Sequence, residues 1–228
     1  MSLLFLVRHG QASAGTHDYD RLSNTGRKQA CMLGQWWKEH DFRPAKFFHG
    51  TLKRQRDTAT SALEGMGSSA QHVECHTHDG LNEYDHRVIE SHFAKSGENE
   101  TPESMTFEQY LDIMSRWRDH RHNEAMLDSD KIESWQEFQE RGWRTICSVH
   151  EPDRSDGQCV YFTSGGVIAS IVSNVLNLDF EHTIDAIWRI RNASITTLHY
   201  DGKRARLVDF NTIPHLQTRP ERSLITLI

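Results

Sequence analysis

The sequence predicts an α/β fold: a three-layer α/β/α sandwich on a mostly parallel central sheet, with a helical insertion covering one end of it. Three observations predict this. Short, mostly apolar runs such as residues 3–7 and 158–163 stop at turn signals, which is how strands buried on both faces read. Such runs lead through polar or glycine-bearing loops into helical segments, and this β-loop-α order recurs three times. Between residues 84 and 150 the strand pattern is absent and Trp, Met, Glu and Arg are frequent, so that stretch is expected to add a helical cap to a single domain spanning 1–228.

The first run, Leu3 to Val7, ends abruptly in Arg8-His9-Gly10-Gln11. In an open α/β sheet ligands bind beyond the carboxyl ends of the strands, which is where Arg8 and His9 fall. After a polar loop Ser23 reads as an N-cap, and the segment to about His40 is a helix with Ala30, Leu33 and Trp37 on one face. Gly26 sits in its first turn, where close approach to a loop outweighs propensity. Pro44 breaks the helical pattern, and residues 45–49 form a short second strand. Leu52 opens a helix that turns Ala59, Ala62, Leu63 and Met66 inward and closes at the glycines and serines of 65–69. Residues 71–76 give a third strand.

Residues 97–102 form a breaker-rich loop, followed by helices at roughly 103–121 and 131–150 that Trp117, Trp135 and Trp143 pack together. The strand at 158–163 runs through Ser164-Gly165-Gly166 into an apolar helix, 167–176. Residues 193–200 and 204–210 alternate as a hairpin around Asp201-Gly202. Arg189 and Arg191, just before it, are expected in surface ion pairs. The last 15 residues, with two prolines, read as a loosely held tail.

Composition narrows the function. A net charge of −6 with no basic cluster argues against a nucleic-acid surface. No segment approaches the ~20 apolar residues of a membrane span, and the N-terminal run lacks the flanks of a signal peptide. Cys31, Cys75, Cys147 and Cys159 are scattered without a CxxC pair, so free thiols in a reducing, cytoplasmic setting are expected. The stretch His72 to Asp79 has the residue types of a metal site, with His72, Glu74, His76 and His78 on one face of a strand. Fifteen histidines make chance clustering easy, and no His-x-x-x-His helix or CxxC supports a ligand set, so no metal is expected.

Two strand ends converge on one chemistry, Arg8-His9-Gly10-Gln11 and Thr163-Ser164-Gly165-Gly166, joined by Gly50-Thr51-Leu52-Lys53-Arg54 at a helix start. A glycine-rich turn opening a helix offers free N–H groups to an anion. Arg8 and Arg54 add bidentate donors suited to phosphate oxygens. A histidine between them serves as nucleophile, base or metal ligand.

On these motifs the chain resembles the histidine phosphatase superfamily, also called phosphoglycerate-mutase-like. Arg8-His9-Gly10 matches the opening signature, and Leu22-Ser23-Asn24-Thr25-Gly26-Arg27-Lys28-Gln29-Ala30 the helix start that follows. Leu52, Arg54, Thr58 and Ala59 match part of the next motif, and Leu81-Asn82-Glu83 a Leu-x-Glu element. The resemblance implies a phosphomonoesterase of histidine acid phosphatase type, with no cofactor. His9 would carry a covalent phosphoryl group, Arg8 and Arg54 would neutralise its oxygens, and Glu83 would pass the proton, with Asp85 as a nearby competitor. Gln11, Ser164 and Gly165 would complete substrate binding.

Three departures bear on activity. Ser164 stands where the family has a second histidine, and Ala12 and Gly15 stand where it often has Ser or Thr and then Asn. Hydrolysis is therefore expected over mutase activity on bisphosphorylated glycerate. The alternative is a non-catalytic member that binds phosphate or a phosphoprotein through a degenerate site. The implied partner is a phosphorylated small molecule or phosphoprotein. Oligomeric state stays open, the sheet edge near the hairpin being the place for a homodimer contact.

Overall fold

The computed structural model describes residues 2–13, 20–94, 105–120, 132–149, 158–217 and 221–227. The loop expected at 97–102, the outer ends of the two insertion helices (103–104, 121, 131 and 150) and Gly15 lie outside the described residues. The chain begins with β1 (Ser2–Arg8), α1 (Asn24–Glu39), β2 (Lys46–His49), α2 (Lys53–Met66) and β3 (Glu74–Thr77). Helices α3 (His86–Phe93), α4 (Phe107–Asp119) and α5 (Trp135–Val149) follow, then β4 (Cys159–Thr163) and α6 (Gly165–Leu176). The chain continues with α7 (Phe180–Arg189), the hairpin β5 (Ile195–Tyr200) and β6 (Ala205–Thr212), and the single turn α8 (Pro214–Gln217).

The strands form one mixed sheet in the order β3-β2-β4-β1-β5-β6. Strands β1 to β4 run parallel, with Leu6 opposite Tyr161 and Phe48 opposite Tyr161 on β4's other side; β5 and β6 are antiparallel. Alternation along each strand divides the core. Val7, Phe47, Val160 and Phe162 face α1 and α2, meeting Leu33, Trp37, Ala62 and Met66. Leu4, Leu6, Phe48 and Tyr161 face the other way, toward Phe138, Ile146, Val167, Ile168 and Ile171 of α5 and α6. Each such side chain, fully buried, contributes about 1.5–3 kcal/mol. The three-layer arrangement follows from this two-sided burial.

Several expected boundaries move. The third strand starts at Glu74, because the Gln71 and Val73 amides donate back to the Ser68 and Ala70 carbonyls and keep residues 71–73 in a turn. The insertion contains a further helix, α3, which Asp85 caps by accepting from the Arg87 and Val88 amides. Trp117 and Trp135 are buried in the insertion and the Trp117 indole donates to the Glu133 carbonyl at 2.8 Å, whereas Trp143 packs edge-on against Tyr200 of the hairpin. Arg189 pairs with Asp185 as expected, while Arg191 donates to the Asn211 carbonyl.

The C-terminal segment is a correction. It was expected to be loosely held, but Leu216 and Leu224 are buried with Ile213 and with Met32 of α1, and the Gln29 amide donates to the Leu224 carbonyl and to Thr226 Oγ1. Three scattered apolar residues show no periodicity, so only the fold reveals what they cover. His215 lies in the same segment, 2% exposed, and neither ring nitrogen has a hydrogen-bond partner among the described residues. Desolvation pushes its pKa down to about 3. A folded-state pKa below the unfolded one means stability is complete above about pH 6.5 and is lost as pH falls toward the folded value. From pH 6.5 to 5 this one group should cost about 2 kcal/mol. His215→Leu should abolish that part of the slope in urea unfolding at the two pH values; an unchanged slope would show that the ring is not desolvated.

Candidate active site

All four parallel strands deliver residues to one end of the sheet. β1 carries Arg8 and runs directly into His9. Arg54 enters at the start of α2 after β2, Glu83 follows β3, and Ser164-Gly165-Gly166 follow β4. The crevice lies where β1 and β4 are neighbours and their connections leave in different directions, the switch point of an open α/β sheet.

His9 is 4% exposed. Its Nδ1 lies 2.8 Å from the carbonyl oxygen of Gly10, so Nδ1 holds the proton and donates it there. Arg54 Nε then donates to His9 Nε2 at 3.2 Å, which requires a lone pair on Nε2. Burial, then Arg54 and Arg8, hold the imidazole pKa well below its usual value, against a smaller opposing effect from the Gly10 carbonyl. The ring is therefore neutral at neutral pH, with Nε2 unprotonated.

Arg54 is held from behind. Its Nη1 donates to Asp20 Oδ1 at 2.9 Å, and Asp20 also accepts from the Lys53 amide at 2.8 Å. Leu52, the N-cap of α2, has no side chain able to cap, so Asp20 satisfies that helix end while orienting the guanidinium. The Arg8 Nη1 donates to the carbonyls of Ile190 and Leu227, the latter at 2.6 Å, so the C-terminal segment braces this guanidinium.

Glu83 accepts from the Gly166 amide at 2.9 Å, at the N-terminus of α6. Burial raises its pKa, with the Gly166 N–H and the two arginines opposing more weakly. A Cβ on Gly166 would come within 2.3 Å of Glu83 Oε1, so the close approach needs glycine. Asp85, the competing acid, is exposed and spends its carboxylate on capping α3. Of these two acids, Glu83 is the one that lines the pocket.

The pocket, of about 130 Å³, is lined by Arg8, His9, Arg54, Glu83, Gly165 and a second group of residues, Tyr84, His86, Glu90, Met105, Tyr110, Ile187, Trp188 and Leu227. The structure thus brings together five expected site residues. Gln11 and Ser164, expected to bind substrate, are engaged elsewhere. The Gln11 side-chain oxygen accepts from Ser23 Oγ at 2.8 Å, and the fully buried Ser164 hydroxyl accepts from Gln55 Nε2 at 2.8 Å. Thr58, already part of the matched motif, accepts from the Gly10 amide at 3.0 Å; sequence reasoning missed Gln55, which donates to Ser164, and Asn192, which donates to the His9 carbonyl. No local pattern marks them; each is defined by a partner distant in sequence. A larger cleft of about 630 Å³ beside Arg27, Cys31, Glu64 and Glu221 contains none of the expected site residues.

The histidine-rich edge strand has no metal geometry. His76 stacks on Phe48, His78 Nδ1 accepts from the Gly80 amide, and among the described residues no group of three or more potential ligands could hold an ion. All four cysteines are free thiols. No helix among the described residues is long and apolar enough to cross a membrane.

Fold and site together define an α/β protein that sets a neutral imidazole among two guanidinium groups and a protonatable carboxyl at the carboxyl ends of parallel strands. The chain belongs to the histidine phosphatase superfamily, branch 1, whose model matches residues 4–213. A comparison with curated proteins finds no match. Among solved structures, a mycobacterial glucosyl-3-phosphoglycerate phosphatase superposes with a TM-score of 0.59 at 22% identity, over 93% of this chain and 99% of that one. Phosphoglycerate mutase from Bacillus anthracis gives 0.63 at 16% identity, over 94% of each chain. Phosphoserine phosphatase from Entamoeba histolytica, in complex with 3-phosphoglyceric acid, gives 0.63 at 22%, over 95% and 100%. At these identities the likeness is one of fold, the phosphoglycerate mutase fold.

Proposed function

We propose that the chain is a cytoplasmic phosphomonoesterase of the histidine acid phosphatase type that works through a covalent phosphohistidine at His9. The observation that carries this reading is the tautomer: Nδ1 is tied to the Gly10 carbonyl, so the lone pair sits on Nε2, beside Arg54. When a phosphomonoester enters, Arg54 exchanges Nε2 for a phosphate oxygen and Nε2 attacks phosphorus in line. The N–P bond forms as the P–O bond to the alcohol breaks, and protonated Glu83 gives its proton to the departing oxygen. Water then attacks phosphorus, Glu83 takes its proton, the N–P bond breaks and orthophosphate leaves. Arg8, Arg54 and the Gly165 end of α6 stabilise the equatorial oxygens, where charge collects.

Ser164 stands where the superfamily has a second histidine, and its neutral hydroxyl bonds to Gln55. The phosphate is thereby left with fewer charge-assisted contacts, which favours hydrolysis at modest rates over mutase chemistry. The same engagement is what supports the alternative, a phosphate- or phosphoprotein-binding member without turnover. Rapid alkaline quenching of the chain with labelled 4-nitrophenyl phosphate separates the two. Acid-labile, base-stable label mapped to His9 is the expected result; phosphate binding with no covalent label overturns the enzymatic reading.

A further inference from the structure

The part of the pocket that does not face the phosphate has a composition of its own. Its outer wall comes from Tyr84, α3, α4 and α7 and presents Tyr84, Tyr110, Trp188, Met105 and Ile187, with Glu90 among them. The Tyr110 and Trp188 rings lie 5.2 Å apart at 40°, and Tyr84 is wedged edge-on against Phe138 at 5.2 Å, so these rings are fixed by packing. The Tyr84 and Tyr110 hydroxyls bond each other at 2.7 Å, which spends polar capacity that a ligand would otherwise use. Among the described lining residues both guanidinium groups, Arg8 and Arg54, stand next to His9. The other titratable groups with an acidic or basic side chain are Glu83, Glu90 and His86, whose pKa is lowered by burial and by Arg54.

From this division we propose that the site takes a phosphomonoester whose leaving group is apolar or aromatic and carries no negative charge of its own. The inference rests on the phosphatase reading above and names its substrate class. Aromatic faces reward an apolar group at low entropic cost, because rings locked by their neighbours lose little freedom on contact. A second anion on the substrate would have to leave water, find both guanidinium groups engaged with the phosphate, and face the Glu90 carboxyl across a low-dielectric space. Specificity then comes from an unfavourable pairing as much as from contact. Glu90 and Trp188 are its determinants.

Benzyl phosphate and 3-phosphoglycerate are both esters of alkyl alcohols, so they differ mainly in charge and ring. Benzyl phosphate should show a kcat/KM at least tenfold higher. Glu90→Gln should narrow that ratio at least fivefold by lowering KM for 3-phosphoglycerate, and Trp188→Ala should raise KM for benzyl phosphate several-fold. A ratio under tenfold, or one that Glu90→Gln leaves unaltered, overturns the proposal. Should neither compound turn over, the phosphatase reading fails, and calorimetric Kd values for the two compounds still decide: tenfold tighter benzyl phosphate supports the substrate class, equal or reversed affinities overturn it.

Discussion

His9→Ala is expected to lower kcat/KM for a phosphomonoester by about 10⁴-fold or more while leaving the fold in place. The backbone at this position is secured independently of the ring. Its amide donates to the Thr163 carbonyl at 2.9 Å, and its carbonyl accepts from the Ala193 amide and from Asn192 Nδ2. Loss of activity with retained unfolding cooperativity would therefore report chemistry and not collapse. Glu83→Gln should cost about 10²- to 10³-fold, the range of a single general acid. The pH profile gives the sharper reading. The first step needs neutral His9 and protonated Glu83, so activity falls as pH drops through the depressed imidazole pKa and falls again as pH rises through the raised carboxyl pKa. The optimum lies between the depressed imidazole pKa and the raised carboxyl pKa. In Glu83→Gln the alkaline limb set by the carboxyl disappears, because an amide does not titrate, and the acid limb of His9 remains. Comparing both enzymes on one substrate cancels the ionisation of the phosphate ester. A double variant should be no slower than His9→Ala alone, since the acid has nothing to assist once the nucleophile is gone. Activity that survives His9→Ala would refute the covalent route.

Gly26→Ala is expected to destabilise the chain by about 3 kcal/mol and to lower kcat/KM by about 10²-fold. Helix propensity alone predicts the opposite sign, a gain of about 1 kcal/mol for replacing glycine in a helix. Tertiary contact decides otherwise. A Cβ at residue 26 would lie 2.2 Å from the Gln11 carbonyl oxygen and 2.8 Å from the Gln11 nitrogen, and a Cβ at Gly10 would meet the Gly26 oxygen at 2.5 Å. These are backbone atoms and cannot swing aside. Relief requires the loop carrying His9 to move off α1, and a displacement of about 1 Å is enough to misalign an in-line attack. Denaturant unfolding and steady-state kinetics on the one variant measure both effects. An alanine that stabilises the chain would show that the loop has room to shift.

Much of this was legible in the residues. The strand that ends in Arg8 and His9 announced itself because five apolar residues stop at a cation, an imidazole and a glycine. Ser23 capped its helix where expected, accepting from the Gly26 amide, because capping depends on residues three apart. Gly26 in the first turn of α1 already signalled a close loop. Glu83 against Asp85 was undecided at that level. The two acids are neighbours in sequence and differ only in what the fold places beside them, a desolvating pocket for one and two free amides for the other.

The parts that were not legible share one physical property: their partners lie far along the chain. The C-terminal residues looked loose because Leu216 and Leu224 have no periodic companions, yet Met32 on α1 completes their cluster. Gln55 and Asn192 carry no motif, and become site residues only through Ser164 and the His9 carbonyl. The aromatic wall draws on Tyr84, Tyr110 and Trp188, which three different segments bring together.

By itself, then, the sequence determined the α/β class, the strand-end histidine and the two guanidinium groups, because strand burial, turns and caps are governed by near neighbours. Only the tertiary structure decided which of Glu83 and Asp85 faces the crevice, how Arg54 reaches the Nε2 of His9, and which rings form the outer wall. Those depend on desolvation and on distances between residues 45 to 183 positions apart, and the folded chain alone sets them.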